Sequence, residues 1–242
     1  MWKYIEREIS EFRISWKNLD SKVVMIFLSS TIIFVLSWYF ANPSLFNGSF
    51  IFLYSSQVLI EDLISYIYWF ILDFILFFLI PLYIIKILFH QDLKGYGLNL
   101  DNMKEGIFIS FLSLIAFAPF IYLISRSENF TQYFPLMQSA KEDILIFMIY
   151  ECFFVVFIFS WEFIFRGYVL FGLEKQFGIY AIFIQMIPFV LLHSGKPFIE
   201  TFASIFGALL LGYLALRTRS FIYGFMIHAI ILFSLDLIAF LR

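Results

Sequence analysis

Two patterns of apolar positions divide the chain. From Trp2 to Leu19 apolar residues recur at steps of three and four (Trp2, Ile5, Ile9, Phe12, Trp16, Leu19), with Lys3, Arg7, Arg13 and Lys17 between them. This spacing predicts an amphipathic helix over residues 1–22 that is too polar to span a bilayer. It is expected to lie on the membrane surface with its basic residues near lipid headgroups, a soluble extension of the first span being the alternative. Residues 23–242 read differently, as one membrane domain of long apolar runs. Seven stretches approach the ~20 residues that a bilayer requires: Val23 to Phe40, Leu63 to Leu88, Gly106 to Ile124, Ile144 to Phe165, Phe177 to His193, Phe198 to Leu216 and Phe221 to Leu241. The short apolar segment Phe50 to Ile60 is read as an interfacial piece or an extra half-span. The predicted fold class is therefore all-α, a polytopic transmembrane helix bundle of seven to eight spans with an N-terminal amphipathic helix.

Composition strengthens this reading. Hydrophobic residues fill 62% of 242 positions and charged residues only 14%, with a mean hydropathy of +0.92, a balance outside that of soluble domains. The formal net charge of -2 gives no reason to expect nucleic acid as a partner. Membrane lipid is the expected surrounding. Cys152 is the single cysteine, which excludes an intramolecular disulfide and a cysteine metal cluster. Twenty-two mixed-charge residues precede the first apolar run and no small-x-small cleavage site follows it, so the first span is expected to stay in place.

Loop charge predicts orientation. With seven spans, Lys3, Arg7, Arg13, Lys17, Lys22, Lys86, Lys94, Lys104, Arg166, Lys175, Arg217 and Arg219 fall on the N-terminal side, against Arg126, Lys141, Lys196 and Arg242 opposite. The N-terminus is expected to be cytoplasmic, and the cell membrane is the expected location.

Ionisable residues at membrane depth carry the candidate chemistry, because each costs roughly 2.5 to 3.5 kcal/mol at a helix centre on insertion scales. They are Asp73, Glu151, Glu162, Arg166, His193, His228 and Asp236. Glu162 and Arg166 are four residues apart and share a helical face. If their helix runs to about Lys175 and turns at Gly178, Glu162 lies fifteen residues before Phe177 and His193 sixteen after it. An antiparallel hairpin then puts carboxylate and imidazole at nearly equal depth. Glu151 shares the face of Glu162 three turns away and reads as support or pathway. His193 ends its helix at the turn Ser194-Gly195-Lys196-Pro197, where water can reach it. His228 and Asp236 are neighbours through water, and Asp73 reads as a hydrogen-bonded packing residue. In the next helix the pairs Ala203/Gly207 and Ala208/Gly212 permit close helix contact.

A carboxylate and two histidines can activate water and stabilise an oxyanion, with or without a metal. Glu162 or His193 would take the proton from water, Arg166 would hold Glu162 ionised, and His228 would donate to the oxyanion. No cofactor is required. Zinc remains an option, with Glu162, His193 and His228 as candidate ligands. Each group also has a duller reading, Glu162 with Arg166 as a structural ion pair and His193 as a helix-end or interfacial residue.

The motifs resemble those of the CPBP intramembrane proteases, which include the prenyl-protein CAAX endopeptidases and bacteriocin-processing or immunity proteins. The resemblance covers about residues 144–236. Two glutamates, three residues and an arginine correspond to Trp161-Glu162-Phe163-Ile164-Phe165-Arg166, with Gly167 following; a phenylalanine with histidine four residues on corresponds to Phe189 and His193; the last histidine corresponds to His228. The resemblance implies an all-helical fold of about eight spans and hydrolysis of a peptide bond in a membrane-anchored or transmembrane protein or peptide. It implies water activated by the first glutamate with the second-motif histidine, and an oxyanion held by the last histidine with an asparagine. Trp161 stands at the first glutamate and Leu232 at the asparagine, leaving Glu162 and Asp236 as the nearest substitutes. An endopeptidase using Glu162, His193 and His228 is therefore expected, with a non-catalytic binding or immunity relative as the alternative. A small transporter with Asp73, Glu151, Glu162 and Asp236 as relay points is a third reading. Gly-x-Gly-Asp, Gly-x-Ser-x-Gly and His-Glu-x-x-His signatures are absent.

Overall fold

Aspartates begin two of the apolar helices. Asp20 accepts from the backbone N–H groups of Lys22 (2.8 Å) and Val23 (3.2 Å), and Asp143 from those of Leu145 (2.7 Å) and Ile146 (3.1 Å). Each satisfies donors that a helix start leaves without partners. The computed structural model describes residues 1–45, 58–127, 130–196 and 198–242. Helix α1 (Trp2–Lys17) buries no residue, and its apolar side chains stay uncovered. Helix α2 is Ser21–Phe40. Helix α3 starts at Val58–Phe74, passes through a π turn (Ile75–Leu79), one α turn (Ile80–Tyr83) and a second π turn (Ile84–Leu88). Helix α4 is Met103–Ser125. Helix α5 runs as α-helix through Ile144–Glu162, as π-helix through Phe163–Val169 and as α-helix again through Leu170–Phe177. Helices α6 (Tyr180–Leu191), α7 (Phe198–Thr218) and α8 (Ile222–Phe240) complete the bundle.

All seven predicted apolar stretches are thus helical. Among the described residues six helices are long and apolar enough to cross a membrane, and α6 is a shorter apolar helix of 12 residues, about 18 Å long. The fourth stretch extends beyond Phe165 to Phe177, making α5 a 34-residue helix. Of the short apolar segment Phe50 to Ile60, residues 50–57 lie outside the described residues, and Val58 to Ile60 open α3.

Aromatic packing sets the register of α3 against α5. Phe70 meets Phe154 at 5.4 Å and Phe157 at 5.3 Å between ring centroids, and Phe77 meets Trp161 at 5.7 Å. Ser29 of α2 bonds the hydroxyl of Tyr168 at 2.7 Å, tying α2 to the π segment of α5. Helix α4 lies against α8 through Gly106, where a Cβ would stand 2.5 Å from the Tyr223 ring. Helices α6 and α7 meet at Ala208 and Gly212: Gln185 Nε2 donates to the Ala208 carbonyl at 3.0 Å, and a Cβ on Gly212 would be 3.0 Å from Ile182. The other small pair does not make this contact. Ala203 is exposed and nothing lies within 4 Å of a Cβ at Gly207.

Ion pairs gather the polar segments at one end of the bundle. Arg219 binds Glu174 at 2.6 Å, Arg217 binds Glu105 at 2.7 Å, Lys94 binds Asp101 at 3.1 Å and Lys86 binds Asp92 at 2.8 Å. The Phe221 amide donates to the Gly97 carbonyl at 3.2 Å, where Gly97 takes a left-handed φ of 77°. Arg166 departs from the predicted charge distribution: at 1% exposure it lies inside the bundle, not in a loop.

Candidate active site

The site is built where α5 changes from α- to π-helix. Glu162 ends the α segment and Arg166 lies four residues on, so the two stay on one face; they are 0% and 1% exposed. Arg166 Nη1 donates to Glu162 Oε1 at 3.2 Å. His228 Nδ1 lies 2.7 Å from the same oxygen and donates to it from α8. Gly224, one turn before His228, lies beside the other carboxylate oxygen: a Cβ there would be in ordinary contact with Glu162 Oε2, at 3.8 Å. Two cationic or donor groups on one carboxylate oxygen offset the cost of keeping that charge in an apolar interior. Glu162 Oε2, Arg166 Nε and Arg166 Nη2 have no hydrogen-bond partner.

Phe189 of α6 joins this group to the second histidine. The Arg166 guanidinium carbon stands 4.0 Å above the centre of its ring, a cation–π contact. The Phe189 ring is 4.5 Å from that of His193 and 6.5 Å from that of His228. His193 follows α6, where Gly195 takes a φ of 99° and lets the chain turn into α7. Its Nδ1–H donates to the Phe189 carbonyl at 2.8 Å. That bond puts the proton on Nδ1 and leaves the Nε2 lone pair for chemistry.

The hairpin turns at Gly178, with φ 55°, as the sequence predicts. It places α5 opposite His193, but the residue that meets the imidazole is Trp161, at 5.7 Å between rings. Glu162 instead faces α8. Successive residues of a helix project about 100° apart, so one of the pair Trp161/Glu162 faces α6 while the other faces Arg166 and His228.

Asp236 has direct partners of its own on α5. Its carboxyl interacts with Glu151 and Tyr150. These form a separate buried acidic pair, in which Tyr150 Oη, both Glu151 oxygens and Asp236 Oδ2 lack a hydrogen bond of normal geometry. The candidate metal set also fails to assemble. Among the described residues no three His, Cys, Asp or Glu side chains are grouped to hold a metal ion, so Glu162, His193 and His228 are not arranged as zinc ligands.

Beside Trp161 lies a cavity of about 210 Å³, whose walls include Ser37, Trp69, Asp73, Trp161 and Leu192. A second cavity of about 370 Å³ adjoins it, sharing Ala41, Asn42 and Trp69. Asp73 is 1% exposed. Its Oδ2 accepts from Trp69 Nε1 at 2.8 Å, the Ser37 side chain also interacts with the carboxyl, and Oδ1 lacks a hydrogen bond of normal geometry; Trp161 Nε1 has no partner. The sequence marks Asp73 only as a carboxylate inside an apolar run, with nothing to link it to Trp161.

Residues 142–234, under half of the chain, match the family model described as Type II CAAX prenyl endopeptidase Rce1-like. The matched segment contains Glu162, Arg166, Phe189, His193 and His228. No curated protein and no solved structure matches the chain.

Proposed function

We propose, from the match of residues 142–234 to the Type II CAAX prenyl endopeptidase Rce1-like model, that the chain is a CPBP-type relative of the CAAX proteases and a membrane-embedded endopeptidase acting on a membrane-associated protein or peptide. The observation that carries this reading is the convergence of α5, α6 and α8 on Phe189, with His228 held by Glu162 and His193 held by a backbone carbonyl. Both imidazoles are fixed through Nδ1, so both present Nε2. That is the arrangement two acid–base groups need to act on one substrate.

In the proposed reaction His193 Nε2 helps take a proton from water as the water oxygen bonds to the peptide carbonyl carbon. His228, oriented by its Nδ1 bond to Glu162, would act through Nε2 as the donor to the developing oxyanion. The C–N bond breaks, the hydroxyl stays on the acyl carbon, and the proton leaves on the amine nitrogen. Glu162 positions His228, a change from its expected part as the group that activates water. Arg166 positions Glu162 and closes the site against Phe189. The N-terminus is cytoplasmic in this account, because the basic loops gather at one end of the bundle. Helix α1 lies on that surface.

Trp161 favours a second reading. It stands where the family resemblance expects the first glutamate, and Leu232 stands where it expects asparagine, so the chain is alternatively a non-catalytic relative that binds a membrane peptide. Incubating the purified chain in proteoliposomes with a membrane-spanning peptide, with mass spectrometry of the products, separates the two. A discrete cut that His193→Ala abolishes supports hydrolysis; binding with no cut supports the second reading.

A further inference from the structure

Trp161 removes a carboxylate from the α5 wall of the site, and the structure offers another from the facing helix. Asp73 lies one turn after Trp69 and one turn before Phe77 on α3. Trp69 packs on Phe157 at 5.6 Å and Phe77 on Trp161 at 5.7 Å. Asp73 therefore stands opposite the turn of α5 between Phe157 and Trp161. It shares the walls of the 210 Å³ cavity with Trp161 and Leu192. Leu192 directly precedes His193, and Trp161 is the ring neighbour of His193. The π turn Ile75–Leu79 begins two residues after Asp73, and such turns are frequent at functional sites.

The environment of Asp73 is asymmetric. Oδ2 is held by the Trp69 indole, which fixes the carboxyl plane, while Oδ1 is buried and lacks a hydrogen bond of normal geometry, the Ser37 hydroxyl on the same cavity wall being the other polar group that interacts with the carboxyl. A carboxylate that served packing alone would leave that oxygen at a cost of about 1–3 kcal/mol or more. Glu162 also has an unpartnered oxygen, but it is differently placed: Oε1 is engaged by Arg166 and His228, and Oε2 lies toward Gly224 of α8, away from the cavity wall. Among the carboxylates of the described site, Asp73 is the one with an oxygen lacking a normal hydrogen bond on the wall that Trp161 and Leu192 share.

We infer that Asp73 is the catalytic carboxylate of this chain, supplied from α3 in place of the one Trp161 displaces from α5. This rests on the hydrolase reading. Asp73 Oδ1 accepts the proton of the attacking water while the water oxygen bonds to the carbonyl carbon. The resulting carboxylic acid returns that proton to the amine nitrogen as the C–N bond breaks, so Asp73 ends as it began. His193 orients the same water, and His228 stabilises the oxyanion. The indole N–H of Trp161, lacking a partner of its own, donates to a polar group of the bound peptide.

The test uses the full chain in proteoliposomes with a quenched-fluorescent apolar peptide of membrane-spanning length as probe. Asp73→Asn is expected to lower kcat by about a hundredfold or more with KM within about threefold of the wild type. Asp73→Glu is expected to retain at least about a tenth of the rate, and Asp73→Asn with Trp161→Glu to recover to within about tenfold of it. An Asp73→Asn variant that cleaves within about threefold of wild type, while His193→Ala is silent, overturns the assignment of Asp73 and leaves the hydrolase reading standing. Cleavage by Trp161→Glu but not by wild type overturns it as well, since Asp73 then does not replace the missing glutamate. Probe bound yet uncut by wild type, Asp73→Glu and Trp161→Glu alike overturns both.

Discussion

His228 Nδ1 and Glu162 Oε1 are 2.7 Å apart across the α5–α8 contact, and this bond decides how the two residues divide their work. A carboxylate that also binds Arg166 at 3.2 Å on the same oxygen serves to hold its partners in place. The imidazole keeps its second nitrogen for substrate. On the proposed reading Glu162 is a positioning residue whose loss is felt through His228.

Breaking the buried pair from one side should be costly. Glu162→Gln leaves Arg166 buried beside Phe189 without its counter-charge, and a loss of about 3–5 kcal/mol is expected. Arg166→Met alone should destabilise by a similar amount. The double variant Glu162→Gln with Arg166→Met should regain most of the stability and none of the activity. Thermal unfolding in detergent, paired with cleavage, reads both.

Glycines test the helix contacts. At Gly106 a Cβ would stand 2.5 Å from the Tyr223 ring, whereas at Gly207 nothing lies within 4 Å. Gly106→Ala is expected to destabilise by about 1–3 kcal/mol through overpacking. Gly207→Ala should be neutral or stabilise by up to about 1 kcal/mol, because alanine is the better helix former. Chemical denaturation of the two variants side by side would contradict the packing of α4 on α8 if they behaved alike.

Helix α1 buries nothing against the bundle. A synthetic peptide of residues 1–19 should be largely unstructured in buffer and helical on vesicles containing anionic lipid, with binding that weakens as salt is raised. Circular dichroism during a vesicle titration shows it. Equal helicity without vesicles would place α1 as a soluble extension.

Much of the fold was legible in the sequence because apolar runs near the length of a bilayer have few alternatives to helix. The ion pair was legible too, since a spacing of four puts Glu162 over Arg166 on a helix and the π segment does not undo it. Counting from Gly178 placed α5 opposite His193 at the right depth. Rotation was not legible. Depth follows from residue counting, but which side chain faces which helix depends on packing. Helix packing thus decides that Trp161 rather than Glu162 meets His193, and that Asp236 meets Glu151 on α5. Asp73 was hidden for the same reason. Its relation to Trp161 arises from aromatic contacts between helices far apart in sequence, Phe77 on Trp161 and Trp69 on Phe157.

Small exposed ion pairs at the loop end should matter little. Arg219 and Glu174 are 49% and 29% exposed, so Glu174→Gln is expected to cost no more than about 1 kcal/mol and less at high salt. Unfolding at two ionic strengths measures the difference.

The central claim is that the paired histidines hydrolyse a membrane-associated peptide. Its most direct test compares membranes from cells expressing the wild-type chain with those expressing His193→Ala or His228→Ala at equal levels, by mass spectrometry of protein termini. The account predicts at least one membrane protein or peptide with a new terminus in the wild-type sample that is absent from both variants. Identical termini in all three samples, with the chain present and folded in each, would contradict it.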